Sequence, residues 1–300
     1  MVQQAGAAAL KSWALIRSEQ HLHETLETMQ LGHLVMRSSL AVAITGTALI
    51  GAVAVPQVVH AGPPAHRSPV ASGARSTTSR LLKGKTIGID PGHNGRNYTD
   101  PSYINHQIWN GREYENCNTT GTSTDAGYTE AKFNWHVASY LRKDLLAEGA
   151  KVVMTRHNNH GIGPCVNKRA EIINRAHANV GIDIHGDGGP PNGRGFAILE
   201  PVKDKENRHV IKSSAKFGHV LRRAVLNGTT MPTSTYDGSN GITHRDDLAG
   251  LNLTRVPLVL IECGNMRNAT DARLMIRKHF QQKLARAFVA ALTRFARHDS

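Results

Sequence analysis

The sequence is poor in aromatic and in acidic residues. Phe, Trp and Tyr make up 5% of its 300 residues, which argues against a carbohydrate-binding module built from stacking rings. Asp and Glu number 23 against 36 Lys and Arg, so the formal net charge is +13. A chain of this charge favours polyanions such as nucleic acid, anionic lipid or an acidic cell-wall polymer. Because no basic run is interleaved with aromatics and no nucleic-acid motif is present, nucleic acid is not an expected partner.

Several catalytic signatures are absent as well. No Ser or Cys nucleophile motif with a matching base stands out, and the Gly-rich segments do not match a phosphate-binding loop. We find no internal repeat and no second domain. Apolar residues make up 40% of the chain, which is enough for a real core.

One long apolar run, residues 39–59, lies near the N-terminus and follows Arg37. It closes on Val59-His60-Ala61, with small residues at the two positions that a signal peptidase reads. The pattern predicts a signal peptide over residues 36–61, cleaved after Ala61, and export to the periplasm or cell wall. Contact with a membrane would then be transient. A retained membrane anchor is the alternative.

The segments on either side of this run complete the domain organisation. Residues 1–35 are a polar prefix, which we interpret as lying upstream of a true translation start at Met36 or as a cytosolic extension. Residues 62–80 are rich in Pro, Ser, Ala and Gly and predict a disordered linker. Residues 81–297 are then the catalytic domain.

The three cysteines fit an exported chain. Cys117 and Cys165 lie in polar surroundings rich in Gly and Asn, whereas Cys263 ends an apolar strand. In an oxidising compartment the first two could pair and pin one long loop to another. Cys263 would be a buried thiol. The sequence by itself leaves the pairing open.

Strand and helix patterns alternate through the domain. Short apolar runs predict strands at residues 85–90, 151–155, 180–184, 195–200 and 258–262. Helical spacing predicts helices at residues 130–148, 167–178 and 212–226 and a long final helix at 271–295. This alternation predicts a single α/β domain, with a mainly parallel or mixed twisted sheet and helices on both faces. Active sites in such sheets lie at the carboxyl ends of the strands.

Three predicted strands lead into residues that bind metals or move protons. His93 follows the first strand through an Asp-Pro-Gly turn, His185 ends Ile-Asp-Ile-His, and Glu262 ends a strand of apolar residues. Two histidines and a carboxylate can hold Zn²⁺ and leave a position open for water. Burial would raise the proton affinity of Glu262 and suit it to general base and general acid work. Asp183 or Asp187 could orient a ligating ring.

These segments together resemble the zinc-dependent N-acetylmuramoyl-L-alanine amidases of the third amidase type, over residues 85–294. The chain is most similar to the stand-alone mycobacterial-type form, which has a signal peptide and no wall-binding module. The motifs that carry the resemblance are Ile89-Asp-Pro-Gly-His93, Thr129-Glu130 before a helix with Asn134, Val153-Met-Thr-Arg156, Arg169, Ala178-Asn179, Ile184-His185, Asp246-Asp-Leu-Ala-Gly-Leu-Asn252, Pro257-Leu-Val-Leu-Ile-Glu262-Cys-Gly-Asn265 and Asn268.

The resemblance implies that His93, Glu130 and His185 hold one Zn²⁺ per chain and that Glu262 is the catalytic carboxylate. Without it, Glu130 is more simply a favourable partner for the dipole of the helix that it opens. The implied fold is phosphorylase/hydrolase-like. The implied substrate is peptidoglycan, cut at the amide between N-acetylmuramic acid and L-alanine. We also expect the protein to be a monomer.

Further candidates for the substrate cleft are His244, in a predicted loop before the last strand, and the nearby Arg245 and Asn252. Two positions depart from many relatives, which carry Ser at position 183 and Phe at position 265 where this chain has Asp and Asn. Residues 94–128 form a long aromatic-bearing segment that we interpret as a flap over the cleft. Two alternatives stay open: a zinc carboxypeptidase-like peptidase of similar fold, and an inactive wall-binding or regulatory protein.

Overall fold

A computed structural model of the chain describes residues 80–298. The predicted N-terminal extension and signal peptide, and all but the last residue of the predicted linker, lie outside the described residues. Within the described part of the chain, no helix has both the length and the apolar character needed to cross a bilayer.

A mixed six-stranded sheet forms the centre of the domain. The strands of the described residues are β1 (Thr86–Pro91), β2 (Gln107–Trp109), β3 (Tyr114–Asn116), β4 (Lys151–Met154), β5 (Val180–Asp187), β6 (Ala197–Pro201), β7 (Ile242–Arg245) and β8 (Leu258–Asn265). The order in the large sheet is β4-β1-β5-β8-β6-β7, and β2 and β3 pair separately. β4, β1, β5 and β8 are parallel, whereas β6 runs antiparallel to β8 and carries β7 parallel at the edge.

Helices cover both faces of this sheet. They are α1 (Pro101–Asn105), α2 (Glu130–Ala147), α3 (Val166–Arg175), α4 (Ile211–Gly228), α5 (Ala249–Leu253), α6 (Ala269–Met275) and α7 (Lys278–His298). α2, α4 and α7 enclose the main core with the sheet, where Phe133, Phe217 and Phe288 are fully buried. A smaller cluster under α3 and α5 includes Ile173 and Leu260. The predicted α/β class is confirmed.

Along β5 and β8, the side chains of the main core and those of the site residues lie on opposite faces of the sheet. Ile182 and Ile184 of β5 and Ile261 of β8 belong to the main core. Since successive side chains of a strand point to opposite faces, His185 and Glu262 lie on the other face, the one that α3 and α5 cover. Both residues sit near the carboxyl ends of neighbouring parallel strands, in register with each other.

Two expectations about secondary structure are wrong. The segment predicted as one final helix forms two helices, because the first helix ends at Met275 and the second begins at Lys278. The apolar spacing continues across the break, since Met275 and Phe280 are both in the core, so the pattern does not show it. Gln281 Nε2 donates to the Met275 carbonyl oxygen, which satisfies one acceptor at the end of α6. His244, predicted in a loop, lies in β7, a four-residue edge strand too short for a period to be read.

The inserted segment, residues 94–128, has its own small fold. It contains α1 and the β2–β3 hairpin, and Ile108 of the hairpin packs with Cys117, Cys165 and Ala249. A disulfide joins Cys117 to Cys165, with their Cα atoms 4.4 Å apart, which confirms the predicted pairing. Cys263 is a buried free thiol. The segment is therefore bonded to the residue that precedes α3, and its interpretation as a flap stays a prediction.

The disulfide predicts the thiol count of the protein. Under denaturing, non-reducing conditions one thiol per chain should react, that of Cys263, and all three cysteines of the sequence should react after reduction. Replacing Cys117 and Cys165 together by Ser should lower the free energy of unfolding by about 2–4 kcal/mol, because the unfolded chain regains the freedom of the closed loop. Urea unfolding measures this. Three reactive thiols before reduction would contradict the pairing.

Candidate active site

Three side chains from separate elements converge at one edge of the sheet. His93 Nε2 lies 3.1 Å from Glu130 Oε1, and His185 Nδ1 lies 2.9 Å from the same oxygen. One ligand atom from each residue lies within 4.8 Å of the other two. The structure thus brings together the three residues that the sequence proposes as metal ligands.

His93 follows β1 in a tight turn. Its φ of 58° lies in the left-handed region, so the preceding residues must fix the backbone there. Gly92 leaves room for the neighbouring ring, because a Cβ at this position would lie 2.2 Å from His185 Cε1. On the far side of the ring, His93 Nδ1 is 3.1 Å from the Thr119 carbonyl oxygen. The inserted segment therefore helps to orient the His93 ring.

Two buried arginines hold this turn from behind. Arg169 is 1% exposed and donates to Asp90 Oδ1 at 2.6 Å and to the Pro91 and His93 carbonyl oxygens at 2.7 and 2.5 Å. Arg156 donates to the Pro91 carbonyl oxygen at 2.8 Å. A planar guanidinium can meet a carboxylate and several carbonyls at once, which offsets the cost of burying its charge. The sequence signal for Arg156 and Arg169 was only their place in the family motifs.

Glu130 opens α2, and its carboxylate is buried among donors. Oε2 accepts from the Thr122 N–H at 2.9 Å, and Oε1 accepts from the Gly186 N–H at 3.3 Å. Burial alone would raise the pKa of Glu130, but His93 and His185 outweigh it and hold that pKa well below its ordinary value. The ionised carboxylate is the form that binds a cation.

Asp183 lies beside the second histidine. Its Oδ1 is 3.2 Å from His185 Nε2, while His185 Nδ1 faces Glu130. Burial lowers the pKa of His185, but Asp183 and Glu130 outweigh it and raise that pKa well above its ordinary value. Asp187, the other carboxylate considered for orienting the ring, accepts instead from the Tyr236 hydroxyl at 2.5 Å.

Glu262 lies across from His185 on β8. Its Oε2 is buried and has no hydrogen-bond partner among the described residues. Burial raises the pKa of Glu262 well above its ordinary value, His185 opposes that shift, and the nearby carboxylates of Glu130 and Asp187 add to it. A carboxylate with a raised pKa and an unengaged oxygen can both take up and release a proton.

The three cleft candidates occupy different positions. His244 Nε2 is 3.5 Å from Glu200 Oε2 and is directed away from the face that carries Glu262. Arg245 donates to Asp247, which is the largest cause of its raised pKa, and Glu262 contributes to the same shift. Asn252 is fully buried, and its amide donates to the Asp246 carbonyl oxygen at 2.8 Å.

A cavity of about 150 Å³ adjoins His93 and His185, and the inserted segment supplies part of its wall. Glu115 of β3 lines the cavity and accepts from the Ala249 N–H at 3.1 Å. Burial raises the pKa of Glu115 to about 7. Sequence reasoning did not single out Glu115, whose only signal was its place in the long insertion.

A model of the family described as N-acetylmuramoyl-L-alanine amidase matches residues 87–294. The chain belongs to this amidase family. It is 38% identical to an N-acetylmuramoyl-L-alanine amidase of Mycobacterium tuberculosis over 229 aligned residues. The aligned region covers 76% of this chain and 92% of that protein.

Solved structures of the amidase family agree with this membership. The crystal structure of the N-acetylmuramyl-L-alanine amidase Ami1 from Mycobacterium smegmatis matches with a TM-score of 0.68 and 38% identity, over 72% of this chain and 98% of that one. Ami1 from Mycobacterium abscessus matches with a TM-score of 0.66 and 36% identity, over 71% and 99%. The predicted family, enzyme class and fold are confirmed.

Arg156 and Arg169, which donate to the backbone of the turn before His93, are called the arginine clamp here, and this clamp predicts a stability effect. Arg169→Met leaves Asp90 buried without its partner, so the free energy of unfolding should fall by about 3–5 kcal/mol. Arg175→Met, on the same helix, is the matched control: Arg175 is exposed and pairs with Glu171, so its loss should cost less than about 1 kcal/mol. Urea unfolding compares the two variants, and equal effects would contradict the role of the clamp.

Proposed function

We propose that the chain is a zinc-dependent amidase in which His93, Glu130 and His185 hold the metal ion and Glu262 is the catalytic carboxylate. The observation that carries the proposal is the convergence of two imidazoles and one carboxylate within 4.8 Å, near a glutamate with a buried, unengaged oxygen. The bond cut is the amide between N-acetylmuramic acid and L-alanine of peptidoglycan.

The donor set fits zinc. Two imidazole nitrogens and one carboxylate oxygen are ligands that catalytic zinc sites use, and three protein ligands leave a position open. The low pKa of Glu130 favours its ionised form. When bound, zinc would polarise the substrate carbonyl and acidify a water molecule in the site.

The protein's own groups move the protons. Glu262 takes a proton from the attacking water through its carboxylate and passes it to the departing amine of L-alanine. Its raised pKa favours the first transfer, because a more basic carboxylate takes up the proton of the water more readily. Asp183 Oδ1 lies 3.2 Å from His185 Nε2, and this charge contact would favour the ring orientation in which Nδ1 faces Glu130.

The positive charge of the chain supports an anionic cell wall as the place of action. A groove of about 1250 Å³ between α4 and α7 lies apart from the site, because these helices cover the opposite face of the sheet. Its basic lining residues include Lys216, Arg223, Lys283, Arg286, Arg294 and Arg297. Such a surface attracts polyanions over a distance of about one Debye length. Export and a monomeric state complete the proposal.

Digestion of purified peptidoglycan, with and without a chelator, tests this function. We expect release of intact stem peptides from the sugar, detected by mass spectrometry, and loss of that release with the chelator. A zinc peptidase would release amino acids or shortened stem peptides instead. An inactive binding protein would bind the wall and release nothing. Stem-peptide release that persists after the metal is removed would contradict the zinc role.

Substitutions in the site separate metal binding from proton transfer. Glu262→Gln should lower kcat roughly 10²–10⁴-fold while keeping about one zinc per chain, because the amide cannot carry the proton. His93→Ala should lose the zinc itself. Metal analysis and kinetics on muropeptides measure both effects. Full activity in Glu262→Gln, with zinc present, would remove Glu262 from the catalytic role.

A further inference from the structure

The exposed aromatic rings of the described residues all lie in the inserted segment. They are Tyr98, Tyr103, Trp109 and Tyr114, with 68, 39, 48 and 69% of their surface exposed. The chain has few aromatics, and those elsewhere in the described part are buried or half-buried. Rings left in water at one place on a surface mark a binding site more often than a structural need.

Two of these rings form a pair at the end of the β2–β3 hairpin. Trp109 and Tyr114 are opposite each other in the antiparallel register, and their ring centroids are 5.4 Å apart in an edge-on arrangement. Ile108, which precedes Trp109 on β2, is buried and packs with Cys117, Cys165 and Ala249. The hairpin is therefore anchored by Ile108 and presents the two rings outward.

A cavity of about 430 Å³ opens beside Trp109, between the hairpin and helices α3 and α5. Asn167 and Asn174 of α3 and Leu253 of α5 line it. The Asn167 Oδ1 atom is buried and has no hydrogen-bond partner among the described residues. The cavity thus combines an aromatic wall, an apolar patch and an unengaged amide oxygen.

Four charged side chains line this cavity, and three of them, Glu171, Glu206 and Arg255, are ion-paired, whereas Lys205 is the fourth. Glu206 faces Arg255 at 3.5 Å, and Glu171 pairs with Lys168 at 2.8 Å. The lining therefore suits a neutral ligand with hydroxyl and amide groups better than a charged peptide. Sugar rings with N-acetyl groups have this chemistry, and their C–H faces pack on aromatic rings.

The cavity adjoins the candidate active site across the hairpin. Ala249, at the start of α5, lines the cavity beside His93, and Leu253, at the end of α5, lines the cavity beside Trp109. Four residues of helix correspond to a rise of about 6 Å. A chain of sugars that leaves the active site in this direction would reach the aromatic pair.

We propose that Trp109, Tyr114 and the adjoining cavity form a subsite for neutral N-acetylated sugars of the glycan strand, next to the muramyl unit that is cut. This rests on the proposed function, because the position of the scissile bond defines where the glycan continues. The subsite gives the enzyme a hold on polymeric glycan without a separate carbohydrate-binding module.

Binding of a β-1,4-linked N-acetylglucosamine tetrasaccharide, measured by titration calorimetry, tests the subsite apart from catalysis. Wild-type protein should bind the tetrasaccharide, and Trp109→Ala should weaken its Kd at least tenfold. Trp109→Phe should restore most of the affinity, and its folding should match that of wild type. Tyr98→Ala is the control, because Tyr98 is an exposed ring of the same segment, 68% exposed against 48% for Trp109, and does not line the cavity. An unchanged Kd in Trp109→Ala, or no binding by wild type, would overturn the proposal.

Kinetics distinguish failure of the subsite from failure of the proposed function. In Trp109→Ala, kcat/KM on glycan strands should fall at least tenfold relative to kcat/KM on a monosaccharide muramyl peptide, mainly through KM. If wild type cleaves both substrates and the variant keeps their ratio, the subsite is wrong and the amidase stands. If wild type binds the tetrasaccharide through Trp109 and cleaves neither substrate, the subsite stands and the amidase proposal fails.

Discussion

The buried ion pair between Arg169 and Asp90 is the interaction on which the position of His93 depends. A buried pair of this kind is costly unless the remaining donors and acceptors are satisfied. Arg169 meets that condition by donating to the Pro91 and His93 carbonyl oxygens, and Asp90 by accepting from the Thr155 hydroxyl as well. The turn that carries the first histidine is thus held by a buried ion pair whose remaining donors and acceptors are satisfied.

The same network links the inserted segment to the site. Arg169 Nε donates to the carbonyl oxygen of Pro164, next to Cys165 at the start of α3. The disulfide joins Cys165 to Cys117, which lies two residues before Thr119. The Thr119 carbonyl oxygen is in turn within hydrogen-bond distance of His93 Nδ1. The backbone of His93 is therefore held by Arg169 of α3, and its ring nitrogen Nδ1 is held by the inserted segment. A change in the insertion would reach the proposed metal site through this path.

Two carboxylates in the site have pKa values shifted in opposite directions, and their surroundings explain why. Glu130 lies between two imidazoles and accepts from backbone N–H groups, so its charged form is favoured. Glu262 is partly buried, lies near other carboxylates and has a buried, unengaged oxygen, so its neutral form is favoured. Such a separation agrees with the proposed function, in which one carboxylate would bind a cation and the other would transfer protons.

The sequence predicts well the residues of this site whose side chains are typical metal ligands or proton carriers and that follow or end a predicted strand. His93, His185 and Glu262 were placed together because parallel strands end at one edge, and the register of β5 and β8 agrees. The support behind them was not predicted, because Arg169 acts largely on backbone carbonyls, which a sequence does not display.

The aromatic content of a sequence likewise does not predict where aromatic rings are exposed on the folded protein. A low aromatic content argues against a separate stacking module, but it is an average over the whole chain. The fold places two rings from a three-residue strand pair beside each other, on a hairpin whose register brings Trp109 opposite Tyr114. The spacing of those rings along the chain has no period that predicts a strand. A local pair of exposed rings is thus compatible with a composition that argues against a separate module, since ring stacking depends on where rings are exposed and not on how many there are.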